Sequence, residues 1–283
     1  MRSRKPIGFA SLCLLLTTAV LTVRAQQRAQ PPASQPAAQA PQPYRAPRTG
    51  DNRPNLNGIW QALNEANWNI EPHAADFGTA PALGAIDAVP PGTGVVEGGP
   101  IPYKPEALAQ RKENYKKRME LDPEAKCYLP GVPRAMYLPQ PFQIIQSTDT
   151  IMMVFQFEGA VRTVYMKDRK DAPLPSWMGW SNGRWEGETL VIETTGLDDR
   201  TWFDRAGNFH SDELKVTERI TARSADTLNY EATIDDPKTF TRSWKISFPL
   251  YRRVEKNAQL MEFKCVEFAE ELLYGHLRKQ PAK

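Results

Sequence analysis

From residue 142 onward the chain is a succession of short runs rich in β-branched and aromatic residues. They read FQIIQST, TIMMVFQFE, AVRTVYMKD, SNGRWEGETLVIETTG, LKVTERITAR, TLNYEATID, FTRSWKISF and LMEFKCVEF. Short turns separate them: EGA at 158–160, EGE at 186–188, SAD at 224–226 and DDPK at 235–238. Strand-forming runs spaced by about 10–14 residues and bounded by turn residues indicate a sandwich or a barrel. The crossover helices that a parallel sheet needs are absent from the text. The expected fold is therefore mainly β: about eight antiparallel strands closed as an up-and-down, lipocalin- or calycin-like barrel over residues 142–275. A barrel of this size can hold one small ligand.

Alternation assigns faces. Leu228, Tyr230, Ala232 and Ile234 share one parity and face inward, while Asn229, Glu231 and Thr233 face out. Phe240, Trp244, Ile246 and Phe248 face inward on the next run, and Arg242 falls among them. Along FHSDELKVTERI (209–220), Leu214, Val216 and Ile220 share their parity with His210, Asp212 and Glu218. A buried charge is costly unless paired. Two readings follow: an Arg242–Glu218 salt bridge across the core, or a partly polar interior that holds a ligand.

The segment LDDRTWFDRAGNFHSD (197–212) concentrates groups able to do chemistry. Histidine titrates near neutrality and a carboxylate can orient its ring, so His210 with Asp212 or Asp204, and Glu218 nearby, form a candidate acid–base set. The competing reading is a surface hairpin loop, for which DRAGN supplies turn residues. A metal is disfavoured, because three good ligands at a recognised spacing are missing. Arg242, Trp244, Tyr230, Trp185, Trp202 and Arg200 are the candidate ligand-binding residues. The tryptophans of PSWMGWSNGRW offer stacking surface or simply barrel packing. The text contains no Walker loop, GxGxxG, HExxH or CxxC, which disfavours nucleotide enzymes and zinc proteases. No cofactor is expected.

The first half is organised differently. MRSRKP, the apolar run IGFASLCLLLTTAVLTV and a small-residue site ending at Ala25 have the layout of a signal peptide over residues 1–25. The alternative is a retained membrane anchor. Cleavage near Ala25 predicts a periplasmic or secreted protein without stable membrane insertion. These residues carry four of the 36 basic groups and none of the 33 acidic ones, so the remainder has net charge −1. Nucleic acid is thus not an expected partner. Residues 26–50 are mostly Gln, Pro and Ala and read as a disordered tether. Residues 51–141 read as a loop-rich segment with one helix at about 105–120, opened by Pro105 and stopped by Pro123. Leu108, Tyr115 and Met119 would form its apolar stripe. EELLYGHLRK (270–279) suggests a short closing helix, and 276–283 a tail. Beyond the leader only Cys127 and Cys265 remain, a disulfide pair in an oxidising compartment or else two buried thiols.

PNLNGIW, CYLPGVPR, PSWMGWSNGRWEGETLVIETTGLDDRTWFD, HSDELKVTER and TIDDPKTFTRSW together resemble a family of uncharacterised exported bacterial proteins over residues 54–268. That resemblance implies export and no particular reaction. The expected function is an exported, soluble barrel that binds a small apolar or aromatic molecule with an anionic or hydroxyl group. Two alternatives stand: a lyase, isomerase or hydrolase using His210 or Glu218 on the same scaffold, and a non-catalytic envelope interaction protein.

Overall fold

A computed structural model describes residues 44–78, 85, 88–266 and 276 of the chain. The expected leader, most of the expected tether and nearly all of the expected closing helix lie outside these residues. The strands are β1 (Gly58–Ala62), β2 (Phe142–Gln146), β3 (Thr150–Phe155), β4 (Val161–Tyr165) and β5 (Trp180–Glu186). They continue as β6 (Thr189–Thr195), β7 (Lys215–Ala222), β8 (Thr227–Asp235) and β9 (Trp244–Arg252). Neighbours in sequence are neighbours in space, and β9 returns to pair with β1, with Gln61 opposite Tyr251. The result is a closed, mainly β barrel, as the strand text implies.

Two details differ from the expectation. The barrel has nine strands, because SNGRWEGETLVIETTG folds as two, β5 and β6, and the short GIWQA run of β1 provides the closing partner for β9. It is also not wholly antiparallel, since β4 and β5 run parallel through Val164–Ser181 and Tyr165–Asn182. A parallel pair needs a crossover, and here residues 166–179 supply it as an irregular segment, with no helix in it to betray it. Gly183 allows this close approach. A Cβ there would meet the Met166 sulfur at 2.4 Å and a Val164 methyl at 2.7 Å.

Alternation works as read on β8, where Leu228, Tyr230, Ala232 and Ile234 are buried. The last barrel strand starts later than FTRSWKISF suggests. The Asp236 carboxylate accepts from the backbone of Lys238 and Thr239, and Phe240 N–H donates to Asp236 O, so residues 236–240 form a turn. The strand itself runs from Trp244 to Arg252. LMEFKCVEF does not form a strand over its described residues, 260–266. With β9 already joined to β1 the sheet has no free edge to accept another strand.

The turns after β2, β5 and β7 are short and lie at one end. The long connections after β1, β6 and β8 lie at the other and plug it. Tyr137 donates from its hydroxyl to Phe203 O at 2.7 Å and sets its ring edge-on to Phe248. Phe203 and Phe240 both meet Trp244 edge-on, at 5.6 and 5.4 Å between ring centres. Two helices belong to this plug, α1 (Pro105–Lys116) and α2 (Arg118–Leu121). The buried positions of α1 are Ala107 and Asn114, whereas Leu108 is exposed and Tyr115 and Met119 are half-buried. Asn114 packs against Gly207, where a Cβ would come within 2.8 Å of the asparagine Cβ.

Residues 44–50, expected to be tether, belong to the fold. Ala46 is buried, Asn55 N–H donates to Pro47 O, and Arg48 pairs with Glu188. After β9 the chain runs back along the barrel. Met261 N–H donates to Gln156 Oε1, Phe263 packs on Phe157, and Cys265 N–H donates to Glu158 Oε1 at 2.9 Å. There Cys265 is disulfide-bonded to Cys127, 138 residues away, with Cα atoms 5.6 Å apart. No helix among the described residues is long and apolar enough to cross a membrane.

A loop of this length predicts that reducing the Cys127–Cys265 bond lowers stability by about 5 kcal/mol in the chain-entropy model. Urea unfolding with and without reductant checks this, and unchanged midpoints would contradict it.

Candidate functional site

The barrel interior contains the charged pair that parity suggested, but with a different partner. Glu218 on β7 is bound by Arg162 on β4. One guanidinium nitrogen donates to Glu218 Oε1 at 3.0 Å and the other lies against Oε2. The remaining donors are met as well: Arg162 Nε reaches Ser181 Oγ at 2.8 Å and Nη2 reaches Thr194 Oγ1 at 2.7 Å. The Tyr230 hydroxyl donates to Glu218 Oε1 at 2.9 Å. Both charged side chains are essentially without solvent contact. Burial, with the neighbouring Glu218 charge, pushes the Tyr230 phenol well above its ordinary range.

Arg242 takes no part. It lies exposed in the segment before β9 and donates to Ser243 O at 3.2 Å. The Arg242–Glu218 bridge is therefore corrected to Arg162–Glu218. The signal for Arg162 was present: in AVRTVYMKD it shares parity with buried Val164. Half-exposed Val161 and Tyr165 on the other parity hid it, because both faces of β4 are apolar.

The acid–base set is not assembled either. His210 is 2% exposed, and both ring nitrogens are engaged within the fold. Nδ1 faces Ser211 O at 2.8 Å, and Nε2 lies 2.6 Å from the Thr201 hydroxyl, which also reaches Asp198 O. Burial holds its pKa below the usual value. Asp212 does not face inward, because β7 starts only at Lys215. It is exposed and pairs with Lys238 at 2.7 Å, which lowers its pKa. Asp204 is fully buried as the organiser of its own loop. Its carboxylate accepts from the backbone of Ile70, Ala206 and Asn208 and from Asn208 Nδ2. Burial still raises its pKa to about 6.

The candidate ligand residues are dispersed. Trp244 and Tyr230 are buried in the barrel core and Trp202 in the plug. Trp185 is half-buried beside Arg53 and Gln146, at the end of the barrel away from the plug. Arg200 is exposed, paired with Asp198, and lies 4.6 Å from the Trp177 ring. Trp177 in turn stacks on Tyr128 at 4.7 Å.

What the structure brings together instead lies in the plug. A cleft of about 110 Å³ opens between α1–α2 and the loops around residues 68–78 and 205–206. Two arginine–aromatic stacks form its walls: Arg118 over Tyr115 at 4.3 Å and Arg205 over Trp68 at 4.6 Å. Its acids are already engaged. Asp122 binds Arg134 through both oxygens, at 2.7 and 3.0 Å, and Asp76 accepts from the Tyr115 hydroxyl at 3.3 Å. Behind the wall, Arg134 also donates to Asn67, and Arg205 holds Glu124 at 2.8 Å. The cleft therefore presents aromatic faces and guanidinium edges on a charge-paired, buried base. Apart from Arg205 and Ala206 it comes from residues 68–125, which read as featureless loop apart from one solvated helix, so periodicity gave no sign of it.

Fold and site together define a closed β-barrel protein with an ion-paired interior and an aromatic, cationic cleft in its plug. Comparison with known proteins gives no matching family model and no matching curated protein.

Two outcomes follow. Glu218→Ala leaves a buried unpaired guanidinium and should cost about 3–5 kcal/mol, while Arg162→Met with Glu218→Leu together should lie far closer to wild type. Urea titration of the three proteins decides it, and equal losses in single and double variants would refute the pairing. His210 supplies a pH signature. Its folded pKa lies below the unfolded value of about 6.5, so the unfolded chain binds more protons as pH falls through 6.5 and the protein loses stability. Asp204 acts with the opposite sign between its ordinary 3.8 and about 6. The stability advantage of wild type over His210→Gln should therefore shrink from pH 7.5 to pH 5, whatever Asp204 contributes to both proteins.

Proposed function

We propose that this protein is an exported binding protein for a small aromatic molecule carrying an anionic group, held in the plug cleft rather than inside the barrel. The observation that carries the reading is the pair of arginine–aromatic stacks around one cavity. Arg118 lies on the Tyr115 face and gives one N–H to Tyr115 O, with its other edge directed sideways for a ligand carboxylate, while Arg205, held by Glu124, contributes positive charge to the opposite wall. Tyr115 and Trp68 offer flat apolar surface to the ring of the same ligand. The volume suits a single-ring compound.

Export is supported by the leader-like text of residues 1–25 and by a disulfide, which persists in oxidising compartments. The resemblance to exported bacterial proteins agrees with it. An acid–base enzyme centred on His210 is disfavoured, because its nitrogens are committed inside a buried loop.

Benzoate is the probe. Saturation-transfer NMR should detect its binding to the oxidised protein, and Trp68→Ala or Arg118→Met should each weaken it about tenfold. Absence of binding, or binding indifferent to both variants, would overturn the reading.

A further inference from the structure

Two of the charged side chains lining the plug cleft are neutralised behind its wall, Asp122 by Arg134 and Arg205 by Glu124. His73 turns both ring nitrogens to backbone carbonyls, of Glu71 at 2.9 Å and of Pro90 at 3.1 Å, and so offers neither to the cleft. The two lining charges that remain, Arg118 and Asp76, have only neutral partners. Arg118 donates to Tyr115 O at 3.0 Å and lies over the Tyr115 ring at 4.3 Å. Asp76 accepts from Phe77 N–H at 2.8 Å and from the Tyr115 hydroxyl at 3.3 Å. Among the described residues neither forms an ion pair, with the other or with a third group.

Tyr115 therefore carries a cation at its ring face and an anion at its hydroxyl, both on the wall of one cleft and not in contact. A ligand bearing a carboxylate alone satisfies Arg118 and is repelled by Asp76. A ligand bearing an ammonium alone has the reverse difficulty. A ligand with both groups meets each wall charge with its opposite. The spacing selects among such ligands. An α-amino acid carries its ammonium and carboxylate on one carbon, and one charge-assisted hydrogen bond outward from each spans about the breadth of a phenol, the separation that Tyr115 imposes. Val89, Met119, Ala125 and the Trp68 ring supply apolar wall for its side chain.

We infer that the plug cleft selects an aromatic α-amino acid, with its carboxylate on Arg118, its ammonium on Asp76 and its ring against Trp68. This rests on the reading of the cleft as a site for an aromatic anion, and adds the cationic group that the ligand bears.

The test compares L-phenylalanine with 3-phenylpropionate, the same molecule without its ammonium, by isothermal titration calorimetry on the full oxidised chain at neutral pH. Phenylalanine should bind about tenfold more tightly. Asp76→Asn keeps an oxygen for Tyr115 and removes the charge. It should weaken phenylalanine about tenfold and leave 3-phenylpropionate as tight as before or tighter. Equal affinity of the two ligands for the wild type, or equal loss of both in Asp76→Asn, would overturn the inference and leave the aromatic-anion reading intact. Binding of benzoate without binding of phenylalanine would do the same. Failure of benzoate, 3-phenylpropionate and phenylalanine alike would sink both readings together.

Discussion

The Arg162–Glu218 pair is the constraint around which the barrel is organised. Arg162 leaves β4, Ser181 and Thr194 receive its N–H groups from β5 and β6, Glu218 comes from β7, and Tyr230 completes the set from β8. Five consecutive strands therefore meet at one cluster. A one-residue slip of any of them would turn its polar member outward and leave a charge or a hydroxyl unmet in the core. The parallel β4–β5 junction has the shortest pairing in the sheet, two residue pairs, and Arg162 crosses it directly. Such a cluster contributes specificity of register more than net stability, because the desolvation of both charges offsets much of their attraction.

That arrangement also moves the search for function. A barrel interior closed by a fully satisfied ion pair and by Trp244, Phe248 and Tyr137 is a packed core. The irregular half of the chain provides the concave surfaces. Its buried ionic base, Arg134 with Asp122 and Glu124, holds loops rigid enough to present arginines and aromatic rings at fixed spacing. The division is a common one, with a regular scaffold and chemistry carried on connecting segments.

The sequence made the barrel legible because period-two alternation is strong on β7, β8 and the later part of β9. The disulfide followed from simple counting, since no third cysteine remains beyond the expected leader. Glu218 was found by parity. Its partner was missed because Arg242 sits on the same nominal parity but precedes the strand, and because β4 is apolar on both faces. The inward placement of Asp212 failed for a similar reason, as parity has no meaning before Lys215, where extended structure begins. The cleft was invisible because it is assembled from residues far apart in sequence, such as Trp68, Tyr115 and Arg205. No local pattern records such a meeting.

The pairing of β1 with β9 has a consequence for synthesis. A ribosome delivers β1 early, but its second partner in the sheet lies some 190 residues downstream, and Cys127 waits 138 residues for Cys265. Neither closure can occur until nearly the whole chain has emerged. Until then the sheet is open, with an unpaired edge on each side, and Cys127 remains a thiol, a state that invites aggregation or foreign disulfides. Beyond the expected leader, which holds Cys13, the sequence carries no third cysteine to compete for that thiol. The last stitch of the fold is thus also its least ambiguous one.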